Sequence, residues 1–104
     1  MAKSAAIVLA AGQGKRMQSH VQKQFLLLNG RPLITYALEA FENSPVDQII
    51  LVAGPDEIRY CQEEIAEKYG FSKVTKVIAG GRERYHSVYE GLKAAEGAEY
   101  VLIH

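Results

Sequence analysis

Four short, largely apolar runs constrain this 104-residue chain more than any other feature: Ala5–Leu9, Gln48–Val52, Val74–Ala79 and Tyr100–Ile103. A strand covered on both faces reads as a continuous apolar run, as the strands of parallel sheets do. The segments between the runs carry helical spacing instead. Leu33, Ile34, Ala37, Leu38 and Phe41 form one apolar face of a helix that has Pro32 in its first turn and stops at Asn43-Ser44-Pro45. Ile58, Cys61 and Ile65 do the same for a helix expected over 57–69, with Asp56 as N-cap and Gly70 as its stop. A third helix, over 83–95, is expected to turn Val88 and Leu92 inward. Phe25–Leu28 reads as a short strand closed by Asn29-Gly30. Strand and helix alternate, which predicts an α/β fold: a doubly wound, mostly parallel sheet with helices on both faces.

Ligands of such sheets sit at the carboxyl ends of the strands. Both glycine-rich breaks, 12–14 and 80–81, fall at those ends. The first follows Leu9 directly, as Ala10-Ala11-Gly12-Gln13-Gly14-Lys15-Arg16. Glycine lets main chain approach a ligand with no Cβ in the way, and consecutive amides can then face phosphate oxygens. Arg16 adds a planar fork and Lys15 a mobile point charge, with Lys23 seven residues beyond Arg16. The pattern points to an anion.

Two familiar phosphate loops fit poorly. A P-loop requires Ser or Thr after Gly-Lys and a glycine five residues before Gly14, and neither is present. A dinucleotide fingerprint requires glycine where Met17 stands, and no acidic residue ends a second strand at the right distance. A dinucleotide-binding or other non-catalytic nucleotide-binding module is therefore the runner-up. The 12 basic and 12 acidic residues cancel, which argues against a general nucleic-acid or membrane surface. No run approaches the roughly 20 apolar residues of a membrane span. The single cysteine, Cys61, suits a reducing cytoplasm.

Leu9–Met17 with Lys23-Gln24 resembles the nucleotidyltransferase signature of a glycine loop, an arginine and a downstream lysine. With Gly80-Gly81-Arg82-Glu83-Arg84, Ser87-Val88 and Gly91-Leu92, the chain is similar to the 2-C-methyl-D-erythritol 4-phosphate cytidylyltransferases across essentially its whole length. The resemblance implies a nucleotide-diphospho-sugar-transferase-like fold and a reaction joining CTP to a sugar-alcohol phosphate with release of pyrophosphate. It implies that Ala10, Ala11, Gly12 and Gly14 wrap the triphosphate with main-chain N–H groups. Arg16 and Lys23 would act catalytically, neutralising charge on the α-phosphate and the leaving pyrophosphate. Gly80, Gly81 and Arg82 would approach the cytosine, with Arg84 and Ser87 in or beside that pocket. It further implies Mg²⁺, a homodimer and a cytoplasmic setting. Ribitol-5-phosphate cytidylyltransferases, and after them other sugar-phosphate nucleotidyltransferases, are the competing readings within the same chemistry.

The family often has proline before the downstream lysine, where Gln22 stands here. Its metal-holding aspartate would come directly after His104, and its dimer arm and acceptor-binding residues lie further on. Residues 1–104 are thus expected to be the N-terminal, CTP-binding portion of one nucleotidyltransferase domain, cut after the fourth main strand and inactive alone. His20, His86 and His104 have no zinc-like partners in the sequence. Cys61 reads as a small core residue, and Tyr85 and Tyr89 as packing.

Overall fold

The computed structural model describes residues 3–10, 26–81 and 83–104. In chain order it contains β1 (Ser4–Leu9), β2 (Leu27–Leu28), β3 (Arg31–Pro32), α1 (Leu33–Glu42), β4 (Gln48–Ala53), a 3-10 turn (Pro55–Glu57), α2 (Ile58–Tyr60) running into a π-helix (Cys61–Glu67), β5 (Val74–Ala79), α3 (Arg84–Ala94) and β6 (Tyr100–Ile103). The four long strands make one parallel sheet in the order β5-β4-β1-β6. β1 is central, with Ile7 opposite Ile50 on one side and Ile103 on the other.

Alternation along the strands divides the core in two. Ala6, Val8, Ile49 and Leu51 face Ile34 and Leu38 of α1, with Cys61 and Ile65 of the π-helix, and Phe71. Ala5, Ile7, Leu9, Ile50 and Val52 face the other way, against Ala95 just past α3, with Val88, Ala94 and Ala98 around it. Helices therefore cover both faces, as the sequence predicts. Ile7, Ile49, Ile50 and Leu51 are fully buried. Each contributes roughly 1.5–3 kcal/mol relative to an exposed position.

β2 and β3 form a separate antiparallel hairpin in which Leu28 pairs with Arg31. Its two-residue turn has positive φ at both central positions, 55° at Asn29 and 80° at Gly30. That geometry matches the strand twist and selects Asn-Gly.

Four expectations need correction. Pro32 ends β3 and stands at the N-cap of α1, not within its first turn. Asp56 lies inside the 3-10 turn and caps nothing; Gly54 takes the N-cap position and Pro55 starts the turn. The single helix expected over 57–69 is three consecutive helical forms. Bonds of the five-residue kind run from Lys68 N–H to the Glu63 carbonyl (3.2 Å) and from Phe71 N–H to the Ala66 carbonyl (2.9 Å). Leu92 does not turn inward: it is 44% exposed. Ser87, Gly91 and Ala95, all buried, form the ridge of the α3 segment that meets the sheet. A Cβ on Gly91 would lie 2.6 Å from Ile7 Cγ2, so only glycine permits this approach.

Candidate functional site

The chain reverses direction across β1. From β1 it winds outward through β4 to β5, then returns past β1 to β6. In open α/β sheets the crevice at such a switch point, at the carboxyl ends of the strands, is where ligands bind. Here the two strand ends flanking the switch are tied together. Leu9 N–H donates to the His104 carbonyl (3.1 Å), and His104 N–H donates to the Ile7 carbonyl (2.9 Å).

The same edge brings Ala10 and Gly80 together. Ala10 N–H donates to the Val52 carbonyl (2.7 Å), and Gly80 N–H donates to the Ala53 carbonyl (2.8 Å). The first residues after β1 and β5 therefore hang from consecutive carbonyls at the end of β4. One correction follows. The amide of Ala10 is committed to the sheet and is not free to wrap a phosphate; Ala10 instead fixes the point where the first loop leaves. It is fully buried. Ala11, Gly12, Gly14, Arg16, Lys23 and Arg82, and with them His20, lie outside the described residues.

At the second break, Gly81 sits against the first turn of α3. A Cβ there would come within 2.2 Å of His86 Cβ and 3.0 Å of its Cγ. Position 81 must therefore be glycine to meet the first turn of the helix. Among the described residues no side-chain hydrogen bond caps the start of α3. Arg84 is its first residue, exposed, and in no ion pair with a described residue. One turn on, Ser87 is 3% exposed. Its N–H donates to the Glu83 carbonyl (3.2 Å), while its hydroxyl has no hydrogen-bond partner among the described residues. A buried hydroxyl without a partner carries a desolvation cost of about 1–3 kcal/mol. A polar ligand group reaching it would offset that cost. Ser87 thus lies one helical turn past Arg84, next in the chain to the His86 that Gly81 touches.

The remaining candidates are structural. Cys61 is fully buried and its thiol is pushed up to about 12, first by that burial and then by the nearby Glu57 charge. It is a core residue, not a nucleophile. His86 is exposed, with its ring 4.3 Å from that of Tyr85. His104 is exposed and meets Phe41 edge-on at 5.9 Å. Among the described residues no group of three or more His, Cys, Asp or Glu could hold a metal ion. The sequence reading missed the Ser87–Gly91–Ala95 ridge. Its signal was present, as small residues four apart.

Comparison with known proteins agrees with this arrangement. The family described as "IspD: 2-C-methyl-D-erythritol 4-phosphate cytidylyltransferase" matches residues 4–104. The 2-C-methyl-D-erythritol 4-phosphate cytidylyltransferase of Lachnoclostridium phytofermentans is 58% identical over 104 residues, covering all of this chain and 45% of that protein. The crystal structure of 4-diphosphocytidyl-2C-methyl-D-erythritol synthase from Anaerococcus prevotii superimposes with a TM-score of 0.76 at 31% identity, over 99% of this chain and 42% of that one. The inositol-1-phosphate CTP transferase of T. maritima shares the fold, with a TM-score of 0.75 at 22% identity, over 99% of this chain and 44% of that one. The chain thus spans a little under half the length of these relatives. With the family matched over residues 4–104 and a sheet whose switch-point edge holds Ala10 and Gly80 on neighbouring carbonyls, this chain belongs to the 2-C-methyl-D-erythritol 4-phosphate cytidylyltransferase family.

Proposed function

We propose that the chain supplies the CTP-binding part of an enzyme that transfers a cytidylyl group to 2-C-methyl-D-erythritol 4-phosphate. The observation that carries this reading is the family match over residues 4–104, at whose sheet edge Ala10 and Gly80 emerge from neighbouring strands. In the reaction, a phosphate oxygen of the acceptor attacks the α-phosphorus of CTP. The bond from that phosphorus to the bridging oxygen breaks, and pyrophosphate leaves with the electron pair. Protein does little covalent work in such a transfer, so catalysis is positioning and electrostatic stabilisation.

In this reading Arg16 and Lys23 stabilise charge on the α-phosphate and the leaving pyrophosphate. Main chain from Ala11 to Gly14 wraps the triphosphate, and Gly80, Gly81 and Arg82 meet the cytosine. Ser87 offers its buried hydroxyl and Arg84 its guanidinium at the edge of the same pocket. Magnesium, a homodimer and a cytoplasmic setting belong to the proposal through the family alone. The described residues do not form a metal site, so no step is assigned to the ion. No described helix is long and apolar enough to cross a membrane.

The test is pyrophosphate release from CTP and 2-C-methyl-D-erythritol 4-phosphate by the full protein that carries this sequence. Arg16→Ala and Lys23→Ala are each expected to lower turnover by about 10²–10³, with a smaller effect on CTP affinity. Unchanged turnover in either variant refutes that residue's role. Equilibrium binding that prefers NAD or UTP to CTP refutes the cytidylyl assignment.

A further inference from the structure

Glycine is the poorest ordinary helix former, yet Gly91 stands inside α3. Its backbone does not demand glycine: the positive-φ glycines of the described residues are Gly30, Gly70 and Gly97. What demands it is the sheet below. A Cβ at position 91 would stand 2.6 Å from Ile7 Cγ2, 3.3 Å from Ile7 Cδ1 and 3.4 Å from Val52 Cγ2. Ile7 is fully buried on the central strand, between Ile50 and Ile103, so it has no room to give way. The bare main chain at Gly91 therefore sets how deep α3 sits on β1.

That depth is shared by the turn before it. Ser87 precedes Gly91 by one turn, about 6 Å along the helix axis. It is 3% exposed, and its hydroxyl has no hydrogen-bond partner among the described residues. The other end of α3 is held separately. Lys76 of β5 donates from Nζ to the Ala94 carbonyl (2.7 Å), and Ala95 packs into the core against the strands. A methyl group at position 91 would thus act as a wedge against β1. With the Ala94 end tied to β5, the turn that carries Ser87 is the one it lifts.

We propose that Gly91 is a positioning residue for nucleotide binding, acting through Ser87: its missing side chain sets the depth at which the Ser87 hydroxyl meets CTP. This rests on the CTP-binding reading of Ser87 given above. Carbon atoms in ordinary contact stand about 3.5–4.0 Å apart, so relieving the Ile7 contact takes a shift of roughly 1 Å. A shift of that size carries a well-formed hydrogen bond out of its working range of about 2.5–3.2 Å.

The test is a double-mutant cycle in the full protein, read as CTP affinity by calorimetry and as urea midpoint. Ser87→Ala and Gly91→Ala are each expected to weaken CTP binding about three- to tenfold, as loss of one hydrogen bond would. In the Ser87→Ala background, Gly91→Ala is expected to cost no further affinity, while lowering the urea midpoint as it does alone. Ile7→Leu removes the branch methyl Cγ2 and conserves volume. Added to Gly91→Ala, it is expected to restore CTP affinity. Ile7→Val keeps that methyl and is expected not to. A merely structural glycine would leave affinity intact, or lower it by the same factor with and without the Ser87 hydroxyl, and either result overturns the proposal. So does a failure of Ile7→Leu to restore binding. Should Gly91→Ala not fold alone, Gly91→Ala with Ile7→Val relieves the 3.3 Å contact, keeps the 2.6 Å one, and takes its place in the cycle. If Ser87→Ala alone binds CTP normally, the reading of Ser87 falls first and takes this inference with it. If the unsubstituted protein does not bind CTP, the proposed function itself falls, and this inference with it.

Discussion

The two faces of the sheet are packed by opposite means. On one, α1 and the π-helix press large side chains into the strands: Ile34, Leu38 and Ile65 are all essentially fully buried. On the other, the α3 segment approaches through Ser87, Gly91 and Ala95, so closely that Ile7 Cγ2 occupies the space of a Gly91 side chain. The first face gains stability from volume. The second gains proximity, and it is the second that holds the start of α3 beside Gly80 and Gly81. Stability and site construction are thus largely assigned to different sides of one sheet.

Leu38→Ala is the largest expected blow to stability. It leaves a cavity against β1 and β4 on the voluminous face and should cost about 2–5 kcal/mol. Urea denaturation of the folded protein measures that loss. CTP affinity, measured below the transition, should stay near normal. Equal losses of stability and affinity would mean that the faces are not separable.

Gly91→Ala tests the close face. The added methyl meets a buried, β-branched Ile7 and cannot be accommodated by a simple rotation. Overpacking costs about 1–3 kcal/mol, and alanine's better helix propensity returns roughly 1 kcal/mol. A modest fall in urea midpoint is expected, together with weaker CTP binding, because α3 carries Ser87 and adjoins Gly81. Loss of stability with affinity intact would break the comparison from the other side.

This contrast also explains what was legible in the sequence. β5 and β6 occupy the residues that their apolar runs predicted, 74–79 and 100–103, and Asn29-Gly30 makes its turn. Those signals are local. The ridge of α3 was misread because an apolar search selects Leu92, whereas close packing selects Gly91, which has no hydrophobic signature. The π-helix was invisible because Cys61 and Ile65 fall on one face at either helical pitch. At the site, spacing placed both glycine breaks at the strand ends. It could not reveal that the Ala10 amide is bound to Val52, nor that the Arg31 guanidinium, on β3, lies over the rings of Tyr36 and Tyr69. Those are tertiary facts, set by neighbours distant in sequence.

Gly81→Ala is a smaller and more local probe. If the clash with His86 dominates, the variant shifts the second break and weakens CTP binding on the order of tenfold, about 1.4 kcal/mol. The three nearest atoms that the new Cβ would meet all belong to the His86 side chain. Adding His86→Gly should therefore restore binding, at a stability cost of about 0.5–1 kcal/mol in the helix. A double variant that binds as weakly as Gly81→Ala alone would assign the glycine to the ligand instead of the helix.

The smallest effect belongs to the voluminous face, where the end of α1 is tied to the turn before β5 by one carboxylate. Glu42 accepts from the Ser72 N–H (3.1 Å), the Ser72 hydroxyl (2.8 Å) and the Lys73 N–H (2.9 Å). Slight burial pushes its pKa up, but the hydrogen bonds from Lys73 and Ser72 and the Lys73 charge outweigh this, and the net shift is downward from 4.5. A carboxyl whose folded pKa is depressed stabilises the fold above its unfolded value and loses that contribution as pH falls through the folded one. Acid titration of stability should therefore show a Glu42 contribution that is intact above about pH 4.5 and declines below it. Glu42→Gln should remove this part of the acid slope while leaving CTP affinity at neutral pH unchanged, since the carboxylate is at the far end of α1 from the hairpin. An unaltered acid slope in Glu42→Gln would show that the three donors are equally well satisfied by water, as exposed polar contacts often are.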